Sequence, residues 1–84
     1  MEEINIYDIA KNIKMYPVIS SNIVAIGYDI DSKILKVIFK NNSSYIYTNV
    51  EENMWNLLCN SESKGKFLTE NITRNKERYK YYKV

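Results

Sequence analysis

Eighty-four residues, 45% of them hydrophobic and 26% charged, are enough for one domain and too few for two. A chain this long buries only about 60% of the surface its unfolded form exposes, so its core is thin. Disorder is excluded all the same, because the apolar content is too high and the net charge of +2 too small. One cysteine, Cys59, and no histidine exclude an internal disulfide, the common zinc sites, the Ser-His-Asp triad and the Cys-His dyad.

No apolar run is long enough to span a bilayer. The Met1-Glu2-Glu3 start lacks the basic and apolar regions of a secretory signal. The expected location is therefore the cytoplasm. Half the chain is Ile, Asn, Lys or Tyr, all encoded by A- and T-rich codons, so part of the lysine content reflects coding bias. Charge is also segregated. Residues 1–10 sum to −3, residues 11–63 balance, and residues 64–84 hold seven basic against two acidic residues, a local +5.

Residues 3–15 read as an amphipathic helix, with Ile6, Ile9, Ala10 and Ile13 at i, i+3, i+4 and i+7. Pro17 blocks its continuation and pushes Tyr16 toward extended geometry. Residues 22–28 predict a strand, followed by turn chemistry at Asp29-Ile30-Asp31-Ser32. Residues 33–40 predict a second strand, with Leu35, Val37 and Phe39 on one face and Ile34, Lys36, Ile38 and Lys40 on the other. Asn41-Asn42 is a hairpin signal. Residues 44–48 give a third strand, with Tyr45 and Tyr47 on one face and Ile46 on the opposite one.

Two helices should follow. Asn49 and Glu52 have capping-box spacing, with Val50 as the alternative cap, ahead of Met54, Leu57 and Leu58. Ser61 or Ser63 can cap a second helix carrying Phe67, Leu68 and Ile72. The expected fold is thus α+β, a three-stranded antiparallel meander packed with short helices, plus an N-terminal helix. Its expected core is Ile23, Ile26, Leu35, Val37, Phe39, Met54, Leu57, Leu58, Phe67 and Ile72.

The order of these features resembles the KTSC family, small standalone bacterial and phage proteins whose domain also ends some lysyl-tRNA synthetases. The matching residues are Val18, Ser20-Ser21-Asn22-Ile23, Ile26-Gly27-Tyr28-Asp29, Leu35-Lys36-Val37-Ile38-Phe39 and Tyr45-Ile46-Tyr47. They continue through Val50, Leu57-Leu58, Ser63-Lys64-Gly65-Lys66-Phe67, Ile72, Arg74, Tyr79, Tyr81 and Val84. The resemblance covers residues 16–84 and implies a KTSC-like domain there, with residues 1–15 as a helical extension. It also implies RNA as a suggested ligand. Glu51 departs from the family's usual proline but suits a first helical turn.

Several groups are candidate binding elements. Tyr45 and Tyr47 share a strand face, where they either stack unpaired bases or pack beneath a helix. Ser63-Lys64-Gly65-Lys66 sits at a helix start, where N–H groups, a hydroxyl and two ammonium groups suit a phosphate. The competing reading is a plain N-cap with a glycine allowing close packing. It is not a P-loop. Gly27 in the first strand points to a bulge or a close approach. Trp55 either closes the core edge or anchors a partner. Cys59 reads as a small apolar residue. Arg74, Lys76, Arg78, Lys80 and Lys83, interleaved with Tyr79, Tyr81 and Tyr82, suit phosphate contact with base stacking. The alternative is a solvated tail with its tyrosines folded back.

The acids are scattered with no convergent pair, so no enzyme, cofactor or metal is expected. The leading expectation is a non-enzymatic module binding RNA or another nucleic acid through Ser63, Lys64, Gly65, Lys66, Arg74, Arg78, Tyr45 and Tyr47. The alternative is a protein partner met through Trp55, Tyr79 and Tyr81. Such a protein would act as a phage-borne, anti-CRISPR-like inhibitor of a host nuclease or defence complex. The oligomeric state stays open.

Overall fold

The computed structural model describes residues 5–84, so residues 3 and 4 of the expected first helix lie outside it. Helix α1 spans Ile6–Asn12, with the Asn5 side chain accepting from the Tyr7 N–H at 2.9 Å as its N-cap. The chain then runs extended into β1 (Tyr16–Pro17). Strands β2 (Ile23–Asp29), β3 (Ile34–Phe39) and β4 (Ser44–Tyr47) follow as a meander. Helix α2 (Glu52–Asn60) and helix α3 (Lys64–Leu68) come next. Helix α3 passes without a break into a wider π turn at Thr69–Thr73, and β5 (Tyr81–Lys83) ends the chain.

The protein is α+β, and its sheet has five antiparallel strands in the order β1-β2-β3-β4-β5. This corrects the three-stranded expectation. The two added strands are the edges: Tyr16 and Pro17 pair with Ile26 and Ala25, and Tyr81–Lys83 pair with Tyr47, Ile46 and Tyr45. Neither edge is long enough to show a period, so only long-range pairing makes it a strand.

Most turn chemistry follows the sequence reading. The Asp29 carboxylate accepts from the Ser32 N–H and hydroxyl, and Asn42 takes φ 69° in the β3–β4 hairpin. The capping box does not form. Asn49 adopts φ 62° and Glu51 is the N-cap of α2 without a side-chain bond. With its backbone in the left-handed region, Asn49 turns the chain into the helix and its side chain caps nothing. Val50 is fully buried instead, its N–H donating to the Lys33 carbonyl at 3.0 Å.

Both faces of the sheet are covered. On one face α2 and α3 close a core built from Ile23, Ile26, Leu35, Val37, Tyr47, Val50, Leu58, Leu68, Ile72 and Tyr79. Phe39, Met54 and Phe67 are half-buried around it. Leu57 is the exception in the expected core, 54% exposed. Helix α2 packs through Met54, Trp55 and Leu58, and Leu57 lies about 100° round the helix from Leu58. On the other face α1 covers Ile34 and Ile46 with Ala10 and Ile13. Ile34, expected on the face opposite Leu35, Val37 and Phe39, is therefore a second-core residue, 3% exposed.

Gly27 is what lets α1 sit so close. A Cβ there would lie 2.4 Å from the Lys14 carbonyl oxygen and 2.7 Å from both Ile13 Cγ2 and Met15 Sδ. The close approach read from the sequence is therefore made by the segment leaving α1. Lys36 fastens the same region by donating from Nζ to the Ala10 carbonyl at 2.9 Å.

Candidate anion- and nucleic-acid-binding cleft

The helical stretch from Lys64 to Thr73 turns Leu68 and Ile72 inward, 1% exposed each. Its outer ridge is set by a spacing of four: Lys66, Glu70 and Arg74. These three side chains line one wall of an open cleft of about 400 Å³. Ser63 begins the same wall, its hydroxyl accepting from the Lys66 N–H at 3.4 Å as the N-cap. The opposite wall is Ser21 and Asn22, from the loop that enters β2.

Gly65 brings the two walls together. A Cβ on it would stand 2.4 Å from Asn22 Oδ1 and 3.3 Å from Ser20 Oγ. The loop side is itself braced. The Ser20 hydroxyl donates to Asn22 Oδ1 at 3.1 Å and accepts from the Asn22 and Ile23 N–H groups at 3.3 Å. Ser63–Lys66 is thus an N-cap with close packing, and it forms one wall of a polar cleft. Among the described residues, the only salt bridge is the exposed Lys33–Glu51 pair at 3.2 Å. Lys66 and Arg74 are therefore unpaired cations facing a cleft whose one acid is Glu70.

Other candidate residues lie elsewhere. Lys64 donates from Nζ to the Ser61 carbonyl at 3.1 Å, satisfying the end of α2. Arg78 lies over the Tyr79 ring at 5.3 Å, away from the cleft. Tyr79 is a core residue, 3% exposed, so its ring offers no surface contact. Trp55 stacks on Tyr28, centroids 5.5 Å apart and planes at 12°, which closes the core edge while leaving the indole half-buried. The Tyr28 hydroxyl donates to the Val50 carbonyl. Burial, and then Glu51, Glu52 and Asp29, push the pKa of that phenol up. Cys59, at the end of α2, is exposed. Partial burial raises its thiol pKa more than Lys64 lowers it, which disfavours the thiolate.

Tyr45 and Tyr47 lie on the face covered by α2 and α3. Tyr47 is 5% exposed, and its pKa is pushed up to about 12 by burial, with Tyr45 and Tyr81 adding to it. Tyr45 is half-buried and meets Phe39 and Tyr81 edge-on, centroids 6.0 and 6.2 Å away. The polar cleft continues toward them. A second depression of about 420 Å³ shares Ser21 and Asn22 with the first and reaches Phe39, Lys40 and Tyr45. A third, of about 230 Å³, shares Phe39 and Tyr45 with the second and adds Tyr47, Tyr81, Thr73 and Lys76.

The KTSC domain model matches residues 19–79. The chain belongs to the KTSC domain family. A crystal structure of a KTSC domain protein from Yersinia pestis superposes with a TM-score of 0.79 at 30% identity. That similarity covers 86% of this chain and 97% of the other. No curated protein matches the chain. Both cleft walls, Tyr45 and Tyr47 fall inside the matched segment, whereas α1 and β5 fall outside it.

The sequence pointed to Ser63, Gly65, Lys66 and Arg74, and the fold brings these four together. It missed Ser21, Asn22, Phe39 and Lys40 as parts of the same groove. The spacing of Lys66, Glu70 and Arg74 was a readable sign of one helix face. Nothing local signals that Asn22 meets Gly65 across 43 positions of chain.

Proposed function

We propose that this KTSC domain is a non-enzymatic module that binds nucleic acid, RNA in particular, by its phosphate backbone. The observation that carries the reading is the cleft between Ser21–Asn22 and Ser63–Arg74. It offers two unpaired cations, hydroxyl and carboxamide groups, and a helix start on one surface. Arg74 can grip a phosphate with two N–H groups at once, and Lys66 supplies a point charge beside the first-turn amides of α3. Glu70 in the same wall sets an orientation, because a phosphate approaching it is repelled toward Lys66 and Arg74. The +5 balance of residues 64–84 attracts the strand from a distance and raises its association rate.

The test is filter binding or fluorescence anisotropy with a short single-stranded RNA across a range of salt. Affinity should fall steeply with salt, and the double variant Lys66→Glu, Arg74→Glu should flatten the log–log slope by about two units, one per lost phosphate contact. Lys11→Glu, Lys14→Glu makes the same charge change at or just after α1, across the sheet, and should leave that slope nearly intact. Equal losses in both double variants would reduce the effect to net charge alone. A salt-independent association with a protein from the host would favour the inhibitor reading instead.

A further inference from the structure

We propose that the aromatic depression between Tyr45, Tyr81 and Lys76 is a base-stacking subsite, taking one unpaired nucleobase of a strand whose backbone continues through the basic cleft. This rests on the nucleic-acid reading and specifies the ligand as single-stranded. The depression holds about 230 Å³, below the roughly 300–1,000 Å³ of pockets for drug-sized ligands and of a size for one planar ring system. Its floor is aromatic. Phe39 meets Tyr45 at 71°, Tyr45 meets Tyr81 at 63°, and Tyr81 remains 50% exposed. Half of Tyr81 stays open to solvent beside these rings, which leaves it able to receive a flat π-surface.

Continuity with the cleft identifies the occupant. The three depressions share lining residues pairwise, so a chain in the cleft passes Asn22 and Lys40 before it reaches Tyr45. Four cations mark that path (Arg74, Lys66, Lys40 and Lys76) against the single acid Glu70. Alternation of phosphate-binding cations with aromatic rings is what a single strand requires. A duplex keeps its base faces stacked inside and can use only the cations. An acidic peptide would likewise meet the cations but gain nothing from the ring faces.

The experiment uses the full chain and fluorescein-labelled oligouridylate, an abasic strand of equal length, a mixed-sequence RNA duplex and a polyglutamate peptide. The wild type should bind oligouridylate about 5- to 150-fold more tightly than the abasic strand, the range expected for one base on an aromatic ring. Tyr81→Ala should abolish that ratio without weakening abasic binding, and Tyr81→Trp should restore it. A thermal melt checks folding of each variant. If Tyr81→Ala unfolds, the base-to-abasic ratio and Tyr81→Trp still decide the matter. Salt-dependent binding with equal affinity for base-bearing and abasic strands would overturn the subsite and leave the nucleic-acid reading standing. Duplex or polyglutamate binding as tight as oligouridylate would overturn the single-strand assignment. Absence of binding to any strand would overturn both.

Discussion

Replacing Gly27 by alanine tests how firmly the N-terminal helix is held to the sheet. The new Cβ would lie 2.4 Å from the Lys14 carbonyl oxygen, a backbone atom that cannot turn aside as a side chain can. It would also press on Ile13 Cγ2 and Met15 Sδ at 2.7 Å. Either β2 or the segment from Ile13 to Met15 must therefore move. Overpacking of this kind costs about 1–3 kcal/mol, and in a domain of this size each kcal/mol lowers the melting temperature by about 4–8 °C. The loss should thus be at least ~4 °C and visible in urea unfolding. Deleting residues 1–15 removes all three clashing groups. In that background the substitution should cost under ~0.5 kcal/mol, since two perturbations of one contact do not add. The truncated chain itself should be less stable, because Ile34 and Ile46 lose the cover of Ala10 and Ile13, yet should remain folded on its α2–α3 core. A Gly27→Ala protein as stable as the parent, or an equal loss in both backgrounds, would refute the close-approach argument.

Three further outcomes follow from the same geometry. Leu58→Ala should cost about 2–5 kcal/mol in urea unfolding because Leu58 is fully buried, whereas Leu57→Ala, at a site 54% exposed, should stay within about 0.5 kcal/mol. Tyr47 carries a pKa of about 12 in the folded state against 10.0 as the reference, so the folded state holds its proton more tightly than the unfolded one. Its contribution is complete below pH 10 and is lost as pH rises toward 12, so the alkaline fall in unfolding free energy should be shallower in Tyr47→Phe. Gly65→Ala should weaken RNA binding in a protein that still folds, because the Cβ displaces the Asn22 carboxamide 2.4 Å away and opens the cleft. Unaltered affinity would separate the cleft from the ligand.

Much of the molecule was written in local pattern. Alternation along residues 33–40 and the paired asparagines after them dictated the central hairpin, because strand period and turn dihedrals depend on near neighbours. The Ser63 cap, the inward Leu68 and Ile72, and the outward Lys66 and Arg74 were likewise set by helical spacing within one short segment. Excess positive charge after residue 63, and the exclusion of histidine- and disulfide-based chemistry, needed composition alone.

Tertiary structure decided the rest, wherever the partner was distant in the chain. Tyr16–Pro17 and Tyr81–Lys83 are strands only because β2 and β4 supply their hydrogen bonds. Leu57 and Leu58 look alike in sequence, and the direction from which α2 meets the sheet buries one and leaves the other in solvent. Ile34 alternated with the buried set, yet α1 folds back over it and gives the sheet a second core. The groove is a product of the same kind. Asn22 and Gly65 touch, and Tyr81 reaches Tyr45, because the meander and the returning β5 bring them together. A groove assembled from four separate stretches of chain has no local period, so its residue types can be read in sequence while their juxtaposition is fixed only by the fold.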